Sequence, residues 1–204
     1  ANREMPAKGN TEFKALKKAY SDGTQLRGKT LGIIGFGRIG QEVARIGTAL
    51  GMVVMPVDLV VSEVDIDINV FKSEDVSLSV RVQTYEWDEV LRQSDFITLH
   101  VPFAGGKALF GPEEFAKMKK GSILVNTSRG GAVDEEGLLQ ALAEGQLRGA
   151  ALDVFDNEPT PRTELLNHPQ VSISPHIGAA TQEAQANIGL ELADRILAFF
   201  GDDR

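Results

Sequence analysis

Residues 29–58 read KTLGIIGFGRIGQEVARIGTALGMVVMPVD. Two apolar runs flank a glycine-rich turn and a helical pattern, and an acid closes the stretch. The nearly continuous apolar residues from Thr30 to Ile34 predict a strand buried on both faces. Gly35, Gly37 and Gly40 follow in the spacing G-x-G-x-x-G. The first glycine permits a tight turn, the second lets the backbone approach a pyrophosphate, and the third lets the helix pack close to the strand. A helix from Arg38 to about Leu50 would aim its first amides, those of Arg38 and Ile39, and its positive dipole end at that phosphate. Met52 to Val57 predicts the next strand, and Asp58 ends it, 18 residues past Gly40. At that distance a carboxylate can accept hydrogen bonds from adenosine ribose hydroxyls. A 2′-phosphate would meet its charge, and Leu59, Val60 and Val61 offer no arginine to accommodate one, so the expected cofactor is NAD.

Bulk composition narrows the remaining classes. The chain has 204 residues, 42% of them hydrophobic, enough for one full core. A formal net charge of −8 argues against a nucleic-acid surface or a polybasic membrane contact. Without cysteine there is no disulfide, no thiol catalysis and no cysteine-ligated metal, and no metal site is expected. Neither an apolar span of membrane length nor a signal-peptide pattern is found, and a cytoplasmic location is expected.

Residues 1–25 predict an interdomain lead-in, mostly a solvated arm, in which Phe13 to Tyr20 can form a short helix. Residues 26–204 form the domain. Val64, Ile66, Ile68 and Val70, then Val76, Leu78, Val80 and Val82, alternate with polar residues on either side of Lys72 to Asp75. That is the pattern of an antiparallel hairpin over about 62–84 with one apolar face, which packs either on this chain or on another subunit. Helices are expected from Glu86 to Gln93, from Gly111 to about Lys120, from Asp134 to Ala143, and after Thr181. In the last, Ala184, Ile188, Leu192, Ile196 and Leu197 trace one apolar face. Strands are expected at Phe96 to Val101, Ser122 to Asn126, Gly149 to Phe155 and Val171 to Ser174. Alternating strands and helices predict a Rossmann-type, doubly wound parallel sheet with an inserted β-hairpin.

Ligands of such sheets lie beyond the carboxyl ends of the strands. The polar residues expected there are Asp58, His100 with Val101 and Pro102, Thr127, Ser128, Arg129, Asp153, Glu158 and His176. Taken singly, Arg129 reads equally well as the partner of a surface acid, Glu158 reads more readily as an ordinary loop acid, and His176 has a buried, satisfied histidine as its lesser alternative. Together beside a dinucleotide turn they read as an active site. His100 fits the architecture of the cofactor pocket, and His168 fits a structural loop before Pro169.

NTSRGG at 126–131, DVFDNEP at 153–159 and SPHIGAAT at 174–181, with the GFGRIG turn, resemble the signatures of the NAD-dependent D-2-hydroxyacid dehydrogenases. The match is closest to the D-3-phosphoglycerate dehydrogenase branch and runs from about Leu26 onward. The resemblance implies that Arg129 polarises a 2-oxo group and pairs with the substrate carboxylate, a role suited to its planar fork. It implies that His176 is the acid–base catalyst and that Glu158 holds its ring. It places Asp153 near the nicotinamide carboxamide and makes Thr127, Ser128, Ile177, Gly178 and Ala179 further cofactor contacts. A homodimer formed through this domain is also implied.

The chain departs from the family at Ala104-Gly105-Gly106-Lys107, where relatives often carry a threonine-containing turn, and in the length of the hairpin. Family enzymes also carry an N-terminal substrate domain and bind substrate between the two domains, so this chain is expected to be the cofactor-binding domain cut from a larger enzyme. The expected function is therefore the NAD-binding half of an enzyme oxidising 3-phosphoglycerate in serine biosynthesis, inactive or nearly so by itself. Reduction of glyoxylate, hydroxypyruvate or D-lactate is the alternative within the family. An NAD(H)-sensing assembly module of the corepressor type is the alternative outside enzymology.

Overall fold

The computed structural model describes residues 4–69 and 77–201. A six-stranded parallel sheet organises the chain. Strand β1 (Thr30–Ile34) lies beside β2 (Val53–Val57) on one flank and β5 (Phe96–Leu99) on the other. Beyond β5 come β6 (Ser122–Asn126), β7 (Leu147–Leu152) and β8 (Val171–Ile173), giving the order β2-β1-β5-β6-β7-β8. The winding direction reverses between β1 and β5, and the crevice at that reversal is where doubly wound sheets hold ligands. Strand β7 starts two residues before the expected Gly149 and stops at Leu152, so Asp153 to Phe155 belong to the loop beyond the sheet. The sheet's interior strands are apolar on both faces because helices cover both. Ile33, Ile97, Leu99 and Leu124 are fully buried.

Helix α3 (Arg38–Ala49) crosses from β1 to β2, α4 (Trp87–Gln93) precedes β5, and α5 (Pro112–Lys117) and α6 (Glu135–Ala143) follow on. Asp134 caps α6 by accepting the Glu136 N–H at 3.1 Å. A short helix α7 (Thr163–Asn167), not expected from the sequence, sits before β8 and buries Leu165. The lead-in is more ordered than a solvated arm: α1 (Met5–Lys8) and α2 (Phe13–Ala19) form, and Leu16 is buried. Arg148 on β7 fastens it by donating to Thr24 Oγ1 and to the Asp22 carbonyl.

The hairpin, β3 (Glu63–Asn69) paired antiparallel with β4 (Ser77–Gln83), forms a separate two-stranded sheet. The expected positions Val70, Val76 and Lys72 to Asp75 lie outside the described residues. The open choice of partner resolves toward this chain. Ile66 and Val82 are buried against Ile33, Phe36 and Ala44, while Val64 and Val80 are partly covered. Burial of these two aliphatic side chains contributes about 2 kcal/mol each to an otherwise marginal hairpin.

Helix α8 (Gln182–Gly201) follows β8. Thr181 caps it as the sequence predicts, its Oγ1 accepting the Ala184 N–H at 3.1 Å. Its apolar face nevertheless covers nothing: none of its residues is buried, and Ile188, Leu192, Ile196 and Leu197 are all exposed. Periodicity revealed an amphipathic helix but not what it packs on. Among the described residues no helix is long and apolar enough to cross a membrane.

Candidate active site

The glycine turn has the shape that its spacing predicts. Gly35 adopts φ +94°, and a Cβ there would stand 2.7 Å from the His100 carbonyl oxygen, so the loops after β1 and β5 touch. A Cβ on Gly40 would fall 2.0 Å from the Gly35 carbonyl oxygen, which fixes how closely α3 approaches the turn. Gly37 has the opposite surroundings: nothing lies within 4 Å of its Cβ position. Backbone facing open space at the N-terminus of a twelve-residue helix fits a pyrophosphate. The side chain of Arg38 turns away to α8, where both its terminal nitrogens donate to Glu191, at 3.0 and 3.2 Å.

Asp58 ties this turn to the end of β2. Its Oδ2 accepts the Phe36 N–H at 2.7 Å, and its Oδ1 accepts those of Val60 and Val61 at 2.8 and 3.1 Å. Partial burial opposes its ionisation, but these backbone donors outweigh burial and hold the carboxyl below its ordinary range. Leu59 and Val60 stand fully in solvent beside it. His100 bonds through Nε2 to Thr98 Oγ1 at 3.0 Å, and burial pushes its pKa down, toward the neutral ring.

The loops after β6, β7 and β8 are laced together. Asn126, at the end of β6, accepts both the N–H and the hydroxyl of Ser128 on Oδ1, and its Nδ2 donates to the Arg129 carbonyl at 3.0 Å. Arg129 is exposed. Its guanidinium donates to the Ser128 carbonyl and, among the described residues, makes no ion pair. The surface-acid reading of Arg129 therefore has no support. Thr127 is exposed beside it.

After β7, Asp153 is buried and accepts three hydrogen bonds. Oδ1 accepts the Ser174 hydroxyl and the Ile177 N–H, and Oδ2 accepts the Gly178 N–H at 2.8 Å. Burial opposes its charge, yet these donors hold the carboxyl below the ordinary range. Five residues on, Glu158 accepts the Phe155 N–H on Oε1 at 3.0 Å and meets His176 Nδ1 through Oε2 at 2.8 Å. The histidine partner is the main reason that the Glu158 carboxyl lies low. His176 is half exposed and has φ +54°, the one non-glycine residue with positive φ among those described. Histidine tolerates that region better than most residues, and strain of this kind clusters at functional sites. Beside the pair opens a cleft of about 470 Å3 lined by Phe155, Pro159, Pro161, Leu166 and Ile173.

The structure thus brings Arg129, Glu158 and His176 onto adjacent strand ends, on the same edge of the sheet as Gly35, Gly37 and Asp58 and separated from them by β5. Three residues that bond to these loops escaped the sequence reading: Asn126, Asp156 and Ser174. For Asn126 a signal existed, since asparagine two residues before serine at a strand end is a turn-forming pattern. Lys107 lies 3.8 Å from Glu113 in an exposed ion pair, and Gly105 and Gly106 take positive φ, so that loop is shaped by its own residues.

The family model described as "D-isomer specific 2-hydroxyacid dehydrogenase, NAD binding domain" matches residues 2–178. The chain is 42% identical to the D-3-phosphoglycerate dehydrogenase of Bacillus subtilis over 178 residues, covering 87% of this chain and 32% of that protein. It is 42% identical to the hydroxypyruvate reductase of Thermotoga maritima over 197 residues, covering 95% of this chain and 58% of the other. The NAD-dependent formate dehydrogenase of Staphylococcus aureus, solved in complex with NAD, superposes with a TM-score of 0.76 at 29% identity, across 100% of this chain and 57% of that one. The chain therefore spans between about a third and three fifths of these relatives.

Proposed function

Because this chain belongs to the D-isomer specific 2-hydroxyacid dehydrogenase family, as its NAD-binding domain, we propose that it carries the cofactor half of a D-3-phosphoglycerate dehydrogenase. The reaction is oxidation of 3-phosphoglycerate to 3-phosphohydroxypyruvate, in serine biosynthesis. The observation that carries this reading is the 2.8 Å pair between His176 Nδ1 and Glu158, set on the same sheet edge as the glycine turn. Similarity to the Bacillus protein supports the choice of substrate.

NAD, when bound, supplies the acceptor for the hydride. Gly35, Gly37, Gly40 and the amides of Arg38 and Ile39 receive its pyrophosphate. Asp58 has one acceptor site left of about four for a ribose hydroxyl. His100, Val101 and Pro102, with Thr127, Ser128 and Ile177 to Ala179, wall the pocket. Asp153 acts chiefly by holding the 174–178 turn beside the carboxamide. Arg129, with no acid partner among the described residues, receives the substrate carboxylate and polarises the C2 oxygen. His176 has Nδ1 engaged by Glu158, so Nε2 is the nitrogen that takes the hydroxyl proton. As the C2–H electron pair departs with the hydride, the O–H pair becomes the carbonyl π bond. Glu158 then faces an imidazolium, which its charge stabilises.

In this reading residues 1–25 lead from an N-terminal substrate domain into the 26–204 domain, the enzyme is a homodimer through this domain, and it works in the cytoplasm. The similarity to the hydroxypyruvate reductase, which takes in 95% of this chain, favours a second substrate reading, reduction of hydroxypyruvate or glyoxylate. Turnover of D-3-phosphoglycerate with NAD, and of hydroxypyruvate and glyoxylate with NADH, by the protein bearing its substrate domain decides between them. His176→Gln should lower kcat by about 10² to 10⁴-fold. Undiminished turnover by that variant, or inactivity on every 2-hydroxy and 2-oxo acid, contradicts the proposal.

A further inference from the structure

Helix α6 opens on Glu135, a carboxylic acid only 4% exposed. Its Oε1 accepts the backbone N–H of Asp156 at 2.9 Å. Its Oε2 makes no hydrogen bond and lies 3.5 Å from Arg162 Nε, at the N-cap of α7. Burial raises its pKa. Such a placement is costly for an acid, which at a helix start would be satisfied in water. Capping does not require it, because Asp134 already caps α6.

What Glu135 holds explains the placement. The neighbouring amide, that of Phe155, donates to Glu158, the acid that pairs with His176. The side chain of Asp156 accepts the Gly131 N–H at 2.6 Å, two residues past Arg129. A Cβ on Gly130 would stand 1.9 Å from the Phe155 carbonyl oxygen, so the Arg129 turn rests directly on residues 155 and 156. Consecutive amides are thus held by two glutamates, one in the site and one behind it. The charged groups facing Glu135 are Asp156 from the loop, Arg162 from α7 and Asp134 from its own helix. Those facing His176 are Glu158 and Asp153.

We propose that Glu135 is a positioning residue: by fixing the Asp156 amide it keeps Glu158 on Nδ1 of His176 and keeps the Arg129 turn in register with that pair. The inference rests on the active-site reading above, and its test separates the two. Nitrogen-15 NMR of the chain's three histidines, with His176 assigned by His176→Gln, reads the tautomer of the neutral ring. In the unaltered chain the proton should reside on Nδ1. Glu158→Gln should shift it toward Nε2. Glu135→Ala, and Glu135→Asp with a side chain one methylene too short, should lower the Nδ1–H to Nε2–H ratio about fivefold, the effect of loosening one hydrogen bond. Glu135→Gln keeps an acceptor for the Asp156 amide and should stay within about twofold of the unaltered chain. A ratio unchanged in both Glu135→Asp and Glu135→Ala, or in the one of them that folds, overturns the positioning role even if the melting temperature falls. A ratio unchanged in Glu158→Gln overturns the Glu158–His176 pairing and the inference with it.

Discussion

Asp153 and Glu135 are both buried acids beside the same loops, and their environments drive them in opposite directions. Donors from Ser174, Ile177 and Gly178 outweigh the burial of Asp153 and hold it below the range of the unfolded chain. Its stabilising contribution is complete above about pH 4 and is lost as pH falls through the lower folded value. Glu135 is raised by burial, so the unfolded chain releases its proton first. Between about pH 4.3 and the higher folded value it makes stability decline as pH rises. Urea unfolding from pH 3 to pH 8 should show Glu135→Gln gaining on the unaltered chain toward alkaline pH. Asp153→Asn should flatten the acid limb while costing roughly 2 to 3 kcal/mol at neutrality, since its donors lose a charged acceptor. Identical pH profiles for all three proteins would contradict this assignment of charges.

At the level of elements, the sheet was legible because most of its strands are runs of apolar residues that end in polar ones. The hairpin was legible for the complementary reason, a period of two with one apolar face. The terminus of β7 was not, because Val154 and Phe155 are buried in the loop beneath the site and continue the apolar run past the sheet. Nor was α7, whose five residues are too few to show a period. Arg129, Glu158 and His176 stood out as strand-end polar residues. Glu135 did not, since a first-turn glutamate on a helix is ordinarily explained by the macrodipole. The loops also depend on a contact no motif announces, the approach of Gly130 to the Phe155 carbonyl. Gly130→Ala should cost about 2 to 3 kcal/mol of stability, as overpacking against backbone does. It should also lower turnover far more than NADH affinity. A variant with native stability would mean that the two loops lie farther apart than the 1.9 Å approach to the Phe155 carbonyl oxygen requires.

Over the whole molecule, the core reaches from α3 to β8 but excludes α8. A helix of twenty residues with no buried side chain is marginal in water. Hydrogen exchange should find its amides opening at least about tenfold faster than those of α3 and α6, because packing rather than propensity protects helices. Equal protection would mean that α8 is covered in solution, as in the proposed dimer or by a substrate domain. The proposed cofactor edge, by contrast, brings together the open backbone at Gly37, the α3 N-terminus and the Asp58 carboxylate. The most direct test of the account is a titration of the chain with NADH and NADPH, followed by fluorescence or calorimetry. Saturable binding of NADH, with NADPH weaker by at least about tenfold (1.4 kcal/mol) and the gap narrowed in Asp58→Asn, is the result expected when a 2′-phosphate meets Asp58. Absence of saturable NADH binding, or equal affinity for the two nucleotides, would contradict it.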